Sequence, residues 1–81
     1  MSSSLKKLQV AFVSAIGVPE TADFDKLAYG QTNGWDSIAH MTLINEIESS
    51  FDIMLDTDDV IGMSSFTKAK EILGKYGVAF A

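Results

Sequence analysis

A serine next to an acid, in the stretch Gly34-Trp35-Asp36-Ser37-Ile38, is the part of the sequence best suited to chemistry. Aspartate is a preferred helix N-cap, and apolar residues follow it at helical spacing, so Ser37 is predicted to lie at the start of a helix. The first backbone N–H groups of a helix are unpaired and carry partial positive charge. A phosphodiester on the Ser37 hydroxyl would therefore lie in a favourable electrostatic field.

A plainer interpretation of the same residues is that Asp36 and Ser37 only cap a helix, and spacing alone favours it. The Asp36 carboxylate could also orient the serine for a partner enzyme or complete that enzyme's metal site. His40, the only histidine, lies one turn further on and is predicted to be an exposed polar residue. A catalytic triad of Ser37, His40 and Asp36 is excluded, because neighbours on one helical turn cannot converge in a line.

The helices that would position this stretch can be predicted from apolar spacing. A first helix carries the stripe Leu5, Leu8, Phe12, Ala15 and Ile16 and ends at Gly17 and Pro19. Residues 17–35 are predicted to be a long loop with one short turn around 24–28. The second helix is predicted over about 37–50, and its predicted buried face contains Ile38, Met41, Ile44, Ile47 and Phe51, with Leu43 widening it.

Two further helices are predicted in the last third of the chain. A short one begins within the acidic segment 56–59, which suits a helix N-terminus, and ends at Gly62. The last is capped by Ser64 or Ser65 and runs to Tyr76. Since little of the chain alternates with period two, we predict an all-α fold in which residues 1–81 form a single domain.

Composition narrows the possible partners. The chain has 81 residues, 11 of them acidic and six basic, and a formal net charge of −5. Such a surface repels phosphate backbones, so nucleic acid is not expected as a partner, whereas proteins with basic patches are. The chain has no cysteine, so any thiol chemistry must come from a cofactor.

The location expected from the sequence is cytoplasmic. No apolar run approaches the roughly 18 residues of a membrane span, so membrane insertion is not expected. The opening residues Met1-Ser2-Ser3-Ser4 are polar and do not have the apolar segment of a signal peptide. No metal site is predicted either. The acidic segment 56–59 does not match a calcium loop, because Ile61 stands where glycine is needed and Val60 where a ligand is needed.

Over essentially its whole length the chain resembles the acyl carrier proteins. Trp35-Asp36-Ser37-Ile38 matches the Asp-Ser-Leu attachment motif of that family, with Ile in place of Leu. Ile16-Gly17-Val18-Pro19 matches the end of the family's first helix. The remaining matches are Glu48, Phe51 and Ile53 at the end of the second helix, the acidic segment 56–59, Met63-Ser64-Ser65-Phe66 and Ala69.

The resemblance implies a four-helix bundle with three longer helices, a short third helix and a long loop after the first. It implies that a phosphopantetheinyl transferase joins 4′-phosphopantetheine from coenzyme A to Ser37, with Trp35 and Asp36 beside the arm. Acyl groups would then travel on the arm's thiol as thioesters, to enzymes of fatty acid or specialised acyl metabolism. Ser37 would be an attachment point, so the chain would be no enzyme and would have no catalytic residue of its own.

The resemblance also assigns two surfaces, on a protein expected to be a monomer. Besides the transferase, the partners would be an acyl-loading ligase and an acyl transferase or synthase. They would contact Ile38, Met41, Glu46, Glu48, Asp56, Asp58 and Asp59. The acyl chain would be sheltered between the second and third helices by Met41, Ile44, Ile47, Val60, Ile61 and Phe66. Ordinary core packing is the alternative for each of these six residues.

The chain departs from the family pattern just after the serine. Ala39 and Thr42 stand where members that serve fatty acid synthesis usually carry acidic residues. We therefore expect a specialised stand-alone carrier. Alternatives are a peptidyl or aminoacyl carrier, although the peptidyl motif usually has a second glycine where Trp35 stands, and an unmodified helical docking domain with an acidic face. Trp35 could touch the arm or a partner, or it could anchor the long loop on the core.

Overall fold

The structure is a computed structural model, and it describes residues 3–80. Its four α-helices are α1 (Ser3–Ile16), α2 (Ser37–Phe51), α3 (Thr57–Gly62) and α4 (Phe66–Lys75). Within residues 3–80 there is no strand, and sheet-like pairing is limited to one antiparallel bridge between Ala28 and Ser65. The predicted all-α class, the short third helix and the long first connection are confirmed. Residues 1, 2 and 81 of the predicted domain lie outside the described part.

Helix α1 packs mainly against α2. Its buried side chains are Leu8, Ala11, Phe12 and Ile16, and the other two members of the predicted stripe, Leu5 and Ala15, are half-buried. The helix ends at Gly17, whose φ of +87° is in the left-handed region and whose N–H donates to the Val13 carbonyl over 3.0 Å. The predicted end of the first helix is therefore confirmed.

Helix α2 begins and ends as its sequence predicts. The Asp36 side chain accepts a hydrogen bond of 2.9 Å from the Ala39 N–H. At the other end Asp52 has a left-handed φ of 55°, and its N–H donates to the Glu48 carbonyl.

The predicted buried face of α2 is partly wrong. Ile38 and Met41 are 80% and 58% exposed. Ile44 and Ile47 are buried as predicted, Leu43 is buried with them, and Phe51 is half-buried. The helix is rotated so that Leu43, which was expected only to widen the face, is fully enclosed.

The long loop is fixed to the core by its apolar side chains. A short 3₁₀ turn, Phe24–Lys26, lies where one was expected, and Phe24 and Leu27 are buried. Near the end of the loop Gly34 has a φ of +93°, and a Cβ there would lie 2.7 Å from the Ile16 carbonyl oxygen. Only glycine fits this close approach, which brings the following residue, Trp35, into the core.

Aromatic rings join α1, the loop and α4 at the centre of the molecule. The ring of Phe12 meets those of Trp35 and Phe66 edge-on, with centroids 5.2 and 5.0 Å apart. Ser65 caps α4 by accepting from the Lys68 N–H over 3.0 Å, and the buried residues of this helix are Phe66, Ala69, Ile72 and Leu73. None of the helices in the described part of the chain is both long and apolar enough to cross a membrane.

Candidate functional site

Ser37 is the first residue of α2, and its side chain is exposed, as predicted. Asp36, directly before it, is also exposed, and its Oδ1 atom is engaged in the helix cap. The Ser37 Oγ atom lies 3.0 Å from the Tyr29 Oη atom, and either hydroxyl could donate the hydrogen bond. The serine is therefore accessible to a large partner and has one side-chain neighbour from the long loop.

Two surface depressions meet at Ser37. The first, the α2–α3 groove, has a volume of about 330 Å³ and is mainly apolar; it is lined by Tyr29, Ser37, His40, Met41, Val60, Ile61 and Met63. The second, the loop basin, has a volume of about 530 Å³ and is lined by residues 29–37. Tyr29 and Ser37 line both depressions. A group attached to Ser37 would thus have a polar surface on one side and an apolar one on the other.

The predicted acyl pocket agrees only in part with the α2–α3 groove. Met41, Val60 and Ile61 line the groove. The other three predicted residues do not, because their side chains are buried in the core: Ile44, Ile47 and Phe66. For these three residues the structure shows the core packing that was the alternative, and a role in sheltering an acyl chain stays a prediction. The prediction also missed Tyr29 and Met63, which lie outside α2, and His40, which lies one turn after Ser37 in α2 but was predicted to be an exposed polar residue.

His40 connects three parts of the chain. The Trp35 Nε1–H group donates to His40 Nδ1 over 3.0 Å, and His40 Nε2 lies 2.8 Å from the Val60 carbonyl oxygen. Since an indole nitrogen can only donate, Nδ1 is the unprotonated acceptor, and Nε2–H donates to Val60. His40 is half-buried, so the prediction of an exposed polar residue is wrong.

The side chain of Trp35 is 1% exposed, so it anchors the loop on the core. This confirms the second of the two interpretations of Trp35. Trp35 also lines the loop basin next to Ser37, and its contact with an arm stays a prediction. A buried indole needs a hydrogen-bond acceptor, and this requirement was a signal in the sequence that could have pointed to His40.

The residues predicted to face partners fall into two groups. Ile38, Met41, Asp56 and Asp58 are exposed, and Glu46 is half-buried. Glu48 instead holds the chain after α2, because its Oε2 atom accepts a 2.8 Å hydrogen bond from the Leu55 N–H. The Asp59 side chain is only 13% exposed. Both carboxylates therefore make contacts within the fold, and a contact of Glu48 or Asp59 with a partner stays a prediction.

Asp59 belongs to a cluster that we call the α3–α4 clamp: Asp59, Lys75 and Tyr76. The Lys75 Nζ and Tyr76 Oη atoms each donate to the Asp59 carboxylate over 2.6 Å. The bond from Lys75, followed by that from Tyr76, lowers the pKa of Asp59. The same carboxylate raises the pKa of Lys75 and that of Tyr76.

Comparison of the chain with protein-family models, curated proteins and solved structures finds no match. What the site can do must therefore be argued from its own residues. It presents an exposed hydroxyl where a polar basin meets an apolar groove. This arrangement suits a covalently attached group that is charged at its root and has an apolar end.

Proposed function

We propose that the protein is an acyl carrier protein, which holds acyl groups as thioesters on a 4′-phosphopantetheine arm attached to Ser37. The observation that carries this proposal is the exposed Ser37 hydroxyl at the first residue of α2, at the edge of an apolar groove. The sequence Trp35-Asp36-Ser37-Ile38, which resembles the attachment motif of carrier proteins, supports it.

Attachment would be a phosphoryl transfer to the Ser37 oxygen. Oγ forms a bond to the pantetheine-bearing phosphorus of coenzyme A, the bond from that phosphorus to the adenosine 3′,5′-bisphosphate leaving group breaks, and the serine proton passes to a base of the transferase. Asp36 is exposed beside the hydroxyl, where its carboxylate could contribute to the magnesium site of the transferase.

The residues around Ser37 fit such an arm. The chain has no cysteine, and the arm supplies the thiol on which a thioester forms. The start of α2 offers a favourable field for the phosphodiester. The α2–α3 groove offers an apolar lining of Met41, Val60 and Ile61 for part of an acyl chain. Methionine is flexible, so this lining could adapt to different guests.

The surface next to Ser37 favours a specialised partner. Ile38, Met41 and Ile61 are exposed apolar residues, and Asp36 and Asp58 are exposed acids close to them in sequence. Such a surface favours enzymes that combine an apolar contact with basic residues. Because Ala39 and Thr42 replace acids, charge would contribute less to docking here than in the fatty acid carriers that the chain resembles.

The test is covalent loading of the purified apo protein. Incubation with coenzyme A, magnesium and a broad-specificity phosphopantetheinyl transferase should add the mass of one phosphopantetheinyl group. Ser37→Ala should gain nothing. Ser49→Ala is the matched control, because Ser49 is also an exposed serine of α2, and this variant should be loaded like the wild type. If several transferases leave the wild type unmodified, the carrier proposal is contradicted and an unmodified docking domain is favoured.

A further inference from the structure

The hydrogen bond between Tyr29 and Ser37 suggests more than a local surface contact. Its two oxygen atoms are 3.0 Å apart, although the residues are eight positions apart in sequence. Tyr29 comes from the long loop and Ser37 from the start of α2. The loop thus places a single hydroxyl group against the proposed attachment atom.

Tyr29 is held firmly enough to define where its hydroxyl lies. Its backbone N–H donates to the Ser64 carbonyl over 2.8 Å, next to the bridge between Ala28 and Ser65. Its ring meets those of Trp35 and His40 edge-on, with centroids 6.1 and 5.2 Å away. A group fixed by both its backbone and its ring loses little further freedom when it binds a partner, which is the condition for preorganisation.

We propose that Tyr29 is a positioning residue of the attachment site: its hydroxyl fixes the Ser37 side chain for modification and then donates to the attached phosphodiester. This inference rests on the proposed carrier function. An exposed serine can occupy three staggered rotamers, and a hydrogen bond to a fixed phenol selects one of them. The Ser37 oxygen, which must attack the phosphorus atom, is then presented in one direction.

The chemistry of the two hydroxyl groups changes on modification. Once Ser37 Oγ is an ester oxygen it has no proton to donate, so Tyr29 must be the donor of any bond to the arm. The non-bridging phosphoryl oxygens are charged acceptors and form stronger hydrogen bonds than a neutral hydroxyl does. Because Tyr29 lies where the loop basin meets the α2–α3 groove, a donor there would also fix the direction in which the arm leaves.

The first experiment measures the Ser37 rotamer in the apo protein. In the wild type, the two Hα–Hβ scalar couplings of Ser37 should have the limiting values of one staggered rotamer, which are one large and one small coupling, or two small couplings where Oγ lies anti to Hα. In Tyr29→Phe, which keeps the ring and removes only the hydroxyl, they should become averaged. Tyr76→Phe is the control, because Tyr76 is the only other tyrosine and its hydroxyl serves the α3–α4 clamp. Averaged couplings in the wild type, or unchanged couplings in Tyr29→Phe, would overturn the inference.

The second experiment follows modification itself. For Tyr29→Phe, the kcat of phosphopantetheinylation should fall about 3- to 10-fold, as expected for one lost hydrogen bond. The KM for the carrier should change little, since Ile38 and Met41 stay in place to dock the transferase. In the loaded protein the ³¹P resonance of the phosphodiester should shift in Tyr29→Phe and not in Tyr76→Phe.

The outcomes separate the two proposals. If the wild type is never loaded, the proposed function fails, whatever the rotamer of Ser37. If the wild type is loaded, but Tyr29→Phe has the wild-type kcat and the wild-type ³¹P shift, the carrier function stands and the role of Tyr29 is rejected.

Discussion

Helix α3 has two neighbours, and it is joined to them by different chemistry. Towards α4, the Asp59 carboxylate accepts two hydrogen bonds of 2.6 Å, from the Lys75 ammonium and the Tyr76 hydroxyl. The Tyr76 oxygen in turn accepts from the Asp56 N–H over 3.0 Å. Towards α2, the described link is a neutral hydrogen bond of 2.8 Å from His40 to the Val60 carbonyl, beside the open α2–α3 groove.

This difference indicates on which side α3 is expected to move. With six residues, α3 is too short to be stable alone and depends on these neighbours. Towards α4 the contact consists of two hydrogen bonds to one carboxylate, whereas towards α2 the described contact is one neutral hydrogen bond beside an open groove, so the two sides differ in kind. We therefore expect the groove to widen by movement of α3 away from α2 while the α3–α4 clamp stays closed. Such a movement would let the α2–α3 groove admit an acyl chain, if the proposed function is correct.

The largest effect on stability is expected from substitution of Trp35. Its indole N–H donates to His40, and His40 joins α2 to α3. Trp35→Ala should lower the free energy of unfolding by about 3–5 kcal/mol, the usual cost of deleting a buried aromatic side chain. It removes the contact with Phe12 and the donor to His40 together. Chemical denaturation followed by circular dichroism would measure the change. Trp35→Phe should recover part of the loss, and a change below about 1 kcal/mol in Trp35→Ala would contradict the anchoring role.

A smaller effect is expected when only the link between α2 and α3 is cut. His40→Ala leaves the Trp35 N–H and the Val60 carbonyl without their shared partner, which should cost about 1–3 kcal/mol. Amide exchange should rise more in α3 than in α1, because α3 is the element released.

Two further results would check this prediction. Asn45→Ala, at an exposed position of the same helix, should stay within about 0.5 kcal/mol of the wild type. The single indole N–H resonance of Trp35 should move in His40→Ala, since its acceptor is gone. If exchange rose equally in α1 and α3, His40 would be a general core residue and the asymmetry of α3 would be refuted.

Features that depend on a few neighbouring residues could be predicted from the sequence. The cap at Asp36, the cap at Ser65 and the glycines that end α1 and α3 are local chemistry, and all of them were found. The exposure of Ser37 follows from the same cap. These are also the features on which the proposed function depends most directly.

Features that depend on contacts between distant residues could not be predicted. His40 meets Val60 across 20 positions, and Asp59 meets Lys75 across 16, so neither side chain reveals its partner by spacing. The rotation of α2 that exposes Ile38 and Met41 depends on packing against α1, which the apolar pattern of α2 alone does not fix. Each error therefore concerns a residue whose surroundings are set by tertiary structure.

The smallest effect on stability is expected from a change of pH, which tests the α3–α4 clamp. Because the folded pKa of Asp59 lies below its ordinary value, its contribution to stability is present above that value and is lost as pH falls through the folded pKa. The pKa values of Lys75 and Tyr76 are raised, so their contributions are present below their ordinary values and are lost as pH rises through the folded ones.

The clamp should thus be strongest across the neutral range and weaken at both extremes. Asp59→Asn should lower the thermal midpoint at neutral pH, and the difference from the wild type should shrink as pH falls through the folded pKa of Asp59. Asp58→Asn, an exposed neighbour, provides the control and should change the midpoint less. A difference between Asp59→Asn and wild type that persists undiminished in acid would show that the carboxylate charge does not hold α3 to α4. The contrast between the two sides of that helix would then have to rest on packing alone.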